Sequence, residues 1–166
     1  MAASGEWPGT EPGSSGAEGQ TVSQEESVTD AVSTEVDSDG ARLRALRQYE
    51  IVDTPPDERF DRLADLARTL VEASVGLVTF VTEDRQWHKA AVGTDLTAIS
   101  REHSCCAYAI ETAGVTVVED LTSHERFAEA PYVPGGTGEP AFRFYAGAPI
   151  TTPDGHRLGT VCVLDE

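Results

Sequence analysis

The chain has 166 residues, with 29 acids against 12 bases and a formal net charge of −17. That length holds one domain of ordinary size with an appendage and leaves little room for two. The carboxylate surplus argues against binding to nucleic acid or to an anionic membrane, because both require a basic face.

Residues 1–40 hold nine of the acids and no Lys or Arg, which leaves 12 bases against 20 acids, or −8, on residues 41–166. The same stretch contains seven serines, six glycines and a single aromatic, Trp7. It carries too little apolar surface to offset chain entropy, so an acidic disordered tail is expected over 1–40 and a folded domain over 41–166. Val28, Val32 and Val36 fall at helical spacing and mark at most a transient acidic helix within that tail.

Leu43, Leu46 and Tyr49 predict a short amphipathic helix that stops before Asp53-Thr54-Pro55-Pro56. Thr54 is placed to cap the next helix, with Pro55 at its first position and Asp57 three residues on. Phe60, Leu63, Ala64, Ala67, Leu70 and Val71 then form one apolar stripe, with charged residues between them. Val75–Thr82 is apolar on both alternating faces, as in a central strand covered on both sides. Glu83-Asp84-Arg85 turns it into a second strand, Gln86–Gly93. A helix is expected over His103–Thr112, a short strand over Val115–Glu119, and a brief helix over Ser123–Ala130 capped by Ser123. Pro131–Pro140 reads as a Gly/Pro-rich loop, either a lid or a plain connection.

Phe142–Thr151 and His156–Leu164 flank Thr152-Pro153-Asp154-Gly155, a turn in which Pro sets φ and Gly takes the left-handed position. Helices interleaved with antiparallel hairpins give an α+β domain, a sheet with helices packed on it. The sequence stops at Asp165-Glu166, right after that strand, so a closing helix and an output domain are expected to follow it.

Five blocks resemble one subgroup of GAF sensor domains, in order and with ordinary spacing, spanning about 43–165. They are Leu43–Pro56 (LRALRQYEIVDTPP), Asp84–Trp87 (DRQW), Ser104–Ile110 (SCCAYAI), Arg143–Pro149 (RFYAGAP) and Thr152–Asp165 (TPDGHRLGTVCVLD). The resemblance implies a central antiparallel sheet with helices on one face and a ligand-sized pocket under loops on the other. It also implies a non-catalytic position upstream of histidine kinases, diguanylate cyclases or other signalling modules. This chain departs from the subgroup where Tyr108 replaces a usual histidine, Cys105 a usual phenylalanine, and His88 the middle residue of a usual Trp-Phe-Lys. Tyr108 weakens any ligand or redox role that a cysteine–histidine pair would have had.

Of the twelve bases only Lys89 is a lysine. A GC-rich genome and a salt-adapted cytoplasm both explain this. No basic segment followed by an apolar run opens the chain, and Val75–Val81 falls far short of the roughly 20 residues that span a bilayer. Three cysteines without framework spacing suit a reducing cytoplasm. Cys105 and Cys106 are read as small packing residues, the alternative being a reactive Cys106 near a helix start, assisted by His103. Metal binding through His103, Cys105, Cys106 and His124 lacks ligand spacing. A GAF-fold methionine sulfoxide reductase is disfavoured because a vicinal pair does not match that enzyme's separated cysteines. A covalent bilin is disfavoured because Tyr108 stands where a histidine is expected, and Gly135-Gly136-Thr137-Gly138 lacks the Lys-Ser/Thr of a phosphate loop.

Arg143 and Tyr145 are expected on one side of a strand, where they hold an anionic ligand, or else Arg143 pairs with Asp120 or Glu119 and fixes a loop. The candidate ligand-binding set is therefore Cys106, Tyr108, Asp120, Arg143 and Tyr145, with no catalytic or metal residue and the cofactor unassigned. The expected function is a cytoplasmic sensor that relays ligand binding through its terminal helices, with a small molecule and a second copy of the chain as partners. The alternatives are a dimerisation module without ligand, or the input fragment of a sensor histidine kinase.

Overall fold

A computed structural model describes residues 39–134 and 141–166. Apart from residues 39 and 40, the expected tail lies outside the described residues, as does most of the Gly/Pro-rich loop. Residues 39–48 are helical (α1). They are followed by α2 (Glu58–Leu70), β1 (Val75–Val81), β2 (Arg85–Val92), β3 (Ala98–Ser100), α3 (Cys105–Ala109), β4 (Thr116–Val118), β5 (Phe144–Thr151) and β6 (Arg157–Asp165). Short 3-10 turns at Arg101–His103 and Leu121–Ser123 precede α3 and follow β4.

The six strands form one sheet in the order β3-β2-β1-β6-β5-β4, and every neighbouring pair is antiparallel. All seven residues of β1 are buried, as its unbroken apolar run requires of a strand covered on both faces. The closing turn has the expected form, with Gly155 at φ +89°. An α+β domain with a central antiparallel sheet is thus what the sequence folds into.

Two helices cover one face. Ala64 of α2 lies over Gly76, where a β-carbon would sit 2.1 Å from the Ala64 carbonyl oxygen, so only glycine admits the helix this close. Leu46 of α1 packs with Phe80 and Leu158. The other face carries α3 and the main core, in which Val75, Leu77, Val81, Cys162, Leu164 and Tyr145 meet Cys106, Leu121 and Phe127.

Several expectations change in detail. The cap of α2 is Asp57, whose carboxylate accepts from the Arg59 amide at 3.0 Å. Thr54 instead gives its hydroxyl proton to the Ile51 carbonyl and receives one from Lys89. The apolar stripe of α2 is only partly used: Ala64 is buried, whereas Leu63, Leu70 and Val71 are exposed. The close Ala64–Gly76 contact sets which side of the helix turns to the sheet, and Leu63, Leu70 and Val71 fall on the side that does not. Tyr49 lies beyond the end of α1 and is exposed. The expected helix over Ser123–Ala130 is replaced by the 3-10 turn Leu121–Ser123, capped by Asp120. The helix expected over His103–Thr112 shortens to α3, because Arg101–His103 closes as a 3-10 turn.

Candidate functional site

A pocket opens on the α3 face of the sheet. Strands supply Leu77, Gln86, Tyr145 and Leu164, the β2–β3 connection adds Thr94 and Leu96, and Cys105, Cys106, Tyr132 and Phe142 close it from above. Its free volume is about 10 Å³, room for roughly one water molecule. Among the described residues, no lining side chain carries a formal charge at neutral pH in its ordinary ionisation state.

Each wall is fixed by its own bonding. Ser104 caps α3, accepting from the Ala107 amide at 2.8 Å and donating its proton to Gln86 Oε1 at 2.6 Å. Gln86 Nε2 donates in turn to His88 Nε2 at 2.9 Å, because His88 Nδ1 is the nitrogen that donates to the Leu96 carbonyl, at 2.8 Å. This assigns His88 as the neutral Nδ1–H tautomer. Burial holds its pKa below the ordinary value, against the opposing bond to Leu96. The Phe142 amide donates to the Tyr132 carbonyl at 2.7 Å and draws together the two ends of the segment between them.

Tyr145 lies flat along β5 because residue 147 is glycine: a β-carbon there would fall 2.1 Å from the tyrosine oxygen. The hydroxyl consequently reaches Cys106 Sγ, to which it donates at 3.5 Å. Cys106 also faces Cys162 at 3.5 Å. Burial by itself raises the Cys106 thiol, but donors from Cys162, Thr160, Thr79 and Tyr145 outweigh it and bring the value down to about 7. Cys162 moves the opposite way, first because its proton is held in the bond to Cys106 and then by burial. Tyr145 is pushed up by burial and by the neighbouring sulfurs.

Of the five residues singled out from sequence, the pocket brings together Cys106 and Tyr145 only. Arg143 precedes β5 and is exposed; it donates to Asp120 Oδ2 at 3.3 Å, the loop-fixing alternative. Asp120 meanwhile accepts from the Thr122 amide and hydroxyl, at 3.0 and 2.6 Å. Tyr108 stands outside the pocket, edge-on to His124 and Phe127 and beneath the Arg126 guanidinium. His103 turns toward Glu102, not toward Cys106. Among the described residues, no three His, Cys, Asp or Glu side chains converge as metal ligands would.

Sequence reasoning missed Gln86, Thr94, Leu96, Tyr132 and Phe142. For Gln86 a signal was present: a polar residue at an inward position opening a strand of half-apolar pattern. Thr94 and Leu96 carried none, because the connection that holds them has no strand period.

Residues 55–166 match the family profile described as the GAF domain. The chain belongs to the GAF domain family. Over 125 residues this GAF domain is 38% identical to a cyclic di-GMP phosphodiesterase of Pseudomonas aeruginosa, a match covering 75% of this chain and 21% of that protein. The chain thus spans about a fifth of the length of that curated relative. The GAF domain of an Acinetobacter phosphoenolpyruvate-protein phosphotransferase superposes with a TM-score of 0.50 at 15% identity, covering 75% of each chain. A free methionine-R-sulfoxide reductase of Neisseria meningitidis, solved with its substrate, superposes at 0.51 with 16% identity, over 74% of this chain and 70% of that one. At such identities both structures attest the fold alone. Among the described residues, no helix is long and apolar enough to cross a membrane.

Proposed function

We propose that this GAF domain is a cytoplasmic sensory unit, without catalysis of its own, that admits a small uncharged molecule to the Cys106–Tyr145 pocket and relays the change to α1. The supporting observation is a continuous set of contacts from pocket wall to helix. Arg101, three residues before Ser104, donates from both terminal guanidinium nitrogens to Asp39 at 3.0 Å each. Asp39 also accepts from Arg42 Nε at 2.8 Å, and Arg42 reaches on to the Val81 carbonyl at 2.6 Å. A ligand that favours one setting of residues 101–110 thereby biases α1 through a shift in populations. Among the described residues the lining holds no cationic side chain and so selects against phosphates and carboxylates, whose charge would be desolvated there without compensation.

In its curated relative the matching segment is a small part of an enzyme, which supports the role of an input unit regulating an effector. The small free volume favours a second reading, a dimerising module whose own side chains fill the pocket. Thermal-shift measurements with indole, phenol, cyclic GMP, cyclic di-GMP and haem, run beside light scattering, separate the two. The sensory reading expects stabilisation by indole or phenol and none by the charged compounds. No shift with any of them, with dimers intact, establishes the second reading instead. Turnover of free methionine sulfoxide would overturn both.

A further inference from the structure

The three cysteines lie together on the α3 side of the sheet, but only two of them are free to react with one another. Cys105 donates its proton to the Tyr132 hydroxyl oxygen at 3.2 Å, because that hydroxyl gives its own proton to the His103 carbonyl. Burial, the main influence, pushes Cys105 up to about 12 and keeps it a thiol. Cys106 on α3 and Cys162 on β6 face each other with sulfurs 3.5 Å apart. A disulfide requires about 2.05 Å, so the pair lies about 1.5 Å from bonding distance. Cys106 lines the pocket, whereas Cys162 lies behind it and has no share in the lining.

We propose that Cys106 and Cys162 are an oxidisable pair that closes to an intramolecular disulfide when hydrogen peroxide enters the pocket. Cys106 is the sulfur of the pair that an oxidant entering the pocket would meet. The Cys106 sulfur attacks one peroxide oxygen, so that an S–O bond forms and the O–O bond breaks. The departing hydroxide takes up a proton and leaves as water, with Cys106 now a sulfenic acid. The Cys162 sulfur then attacks the Cys106 sulfur, so that the S–S bond forms and the S–O bond breaks. Hydroxide leaves with the Cys162 proton as a second water. In sum, two thiols and one peroxide give one disulfide and two waters, with the sulfurs oxidised and the peroxide reduced. The order of attack agrees with the two environments: donors surround Cys106 and favour its thiolate, while Cys162 holds its proton. Closure ties α3 to β6 beneath Tyr145 and takes from that hydroxyl its thiolate acceptor. The inference does not depend on the pocket's admitting a metabolite.

The test treats the reduced full chain with hydrogen peroxide near neutral pH and follows thiol content, intact mass and a tryptic map. The expected result is loss of two thiols of the three and a fall of about 2 Da per chain, reversed by dithiothreitol. Peptide 102–126 should be joined to peptide 158–166, with fragmentation between residues 105 and 106 placing the link on Cys106. The variant Cys162→Ser should stop at the sulfenic acid on Cys106, read as a gain of about 16 Da in intact mass that dithiothreitol reverses. The wild-type map decides the matter even where that variant fails to fold. A link through Cys105, disulfides between chains, only sulfinic or sulfonic acid on unlinked cysteines, or reaction only after unfolding in urea would each overturn the proposal.

Discussion

His88 joins the sheet to the pocket wall through both ring nitrogens, and the two bonds require it to be neutral. Protonation would set a donor at Nε2 against the Gln86 amide and break the run Leu96–His88–Gln86–Ser104 that fixes the start of α3. The sign of its effect on stability follows from linkage. The folded pKa lies below the unfolded value near 6.5, so between the two the unfolded chain binds more protons. Stability is therefore full above about pH 6.5 and falls as the pH drops through that value toward the folded one. The melting temperature of the wild type should decline between pH 6.5 and 5, above the carboxylate range, while that of His88→Gln should stay nearly flat. Parallel slopes for the two proteins would remove His88 from the account. At this scale the sequence marked His88 only as a departure from a usual Trp-Phe-Lys, because one of its bonds reaches Leu96 across 8 residues and the other reaches Ser104 only through Gln86, which leaves no local pattern.

Helix α2 shows how an element can be legible and its packing not. Its period and position follow from Phe60, Ala64 and Ala67, yet the stripe overstates what is buried. Which of its apolar residues turn inward is decided by Gly76 on β1, 12 residues after Ala64, and no spacing within the helix reports it. Gly76→Ala would drive a methyl group into the Ala64 backbone, so the helix must lift or the strand must shift. Overpacking of this kind costs about 2 to 3 kcal/mol. A urea titration with unchanged slope and a lower midpoint is the expected result, and an unaltered midpoint would show that the helix already sits free of the strand. The capping signal was misread for a related reason. Thr54 has the right chemistry for a cap, but Lys89 on β2 claims its oxygen from 35 residues away. Asp57, one turn on, takes the cap instead.

At the scale of the whole molecule, eight arginines are drawn into ion pairs with carboxylates among the described residues, most of them at the surface, where each pair contributes little. That still leaves 20 acids against 12 bases over residues 41–166, and so an excess of negative charge that repels itself. Salt at physiological strength or above screens such repulsion within about 8 Å. Circular dichroism across a sodium chloride series should show stability rising with salt, and full stability in dilute buffer would set the salt-adapted reading aside. Architecture proved the most legible level, because the two hairpins follow from apolar runs and turn residues and the five family blocks imply a central antiparallel sheet, whereas the three-residue edge strand β3 was not foreseen. The pocket was legible only where those blocks reach into it, at Cys106 and Tyr145. Arg143 and Asp120 met each other at the surface, since Arg143 falls just outside β5 and strand alternation does not govern it.

The chain's one lysine is also among its buried polar residues. Lys89 Nζ donates to Thr54 Oγ1 at 2.7 Å and to the Pro55 carbonyl at 2.6 Å, and it lies over the rings of Phe60 and Trp87. A domain that spends its only ε-amine as a clasp offers none to acetylation, ubiquitin attachment or amine-directed labels while it is folded. The same amine becomes reactive once the clasp opens, so acylation at Lys89 counts unfolded molecules in a mixture without any engineered probe.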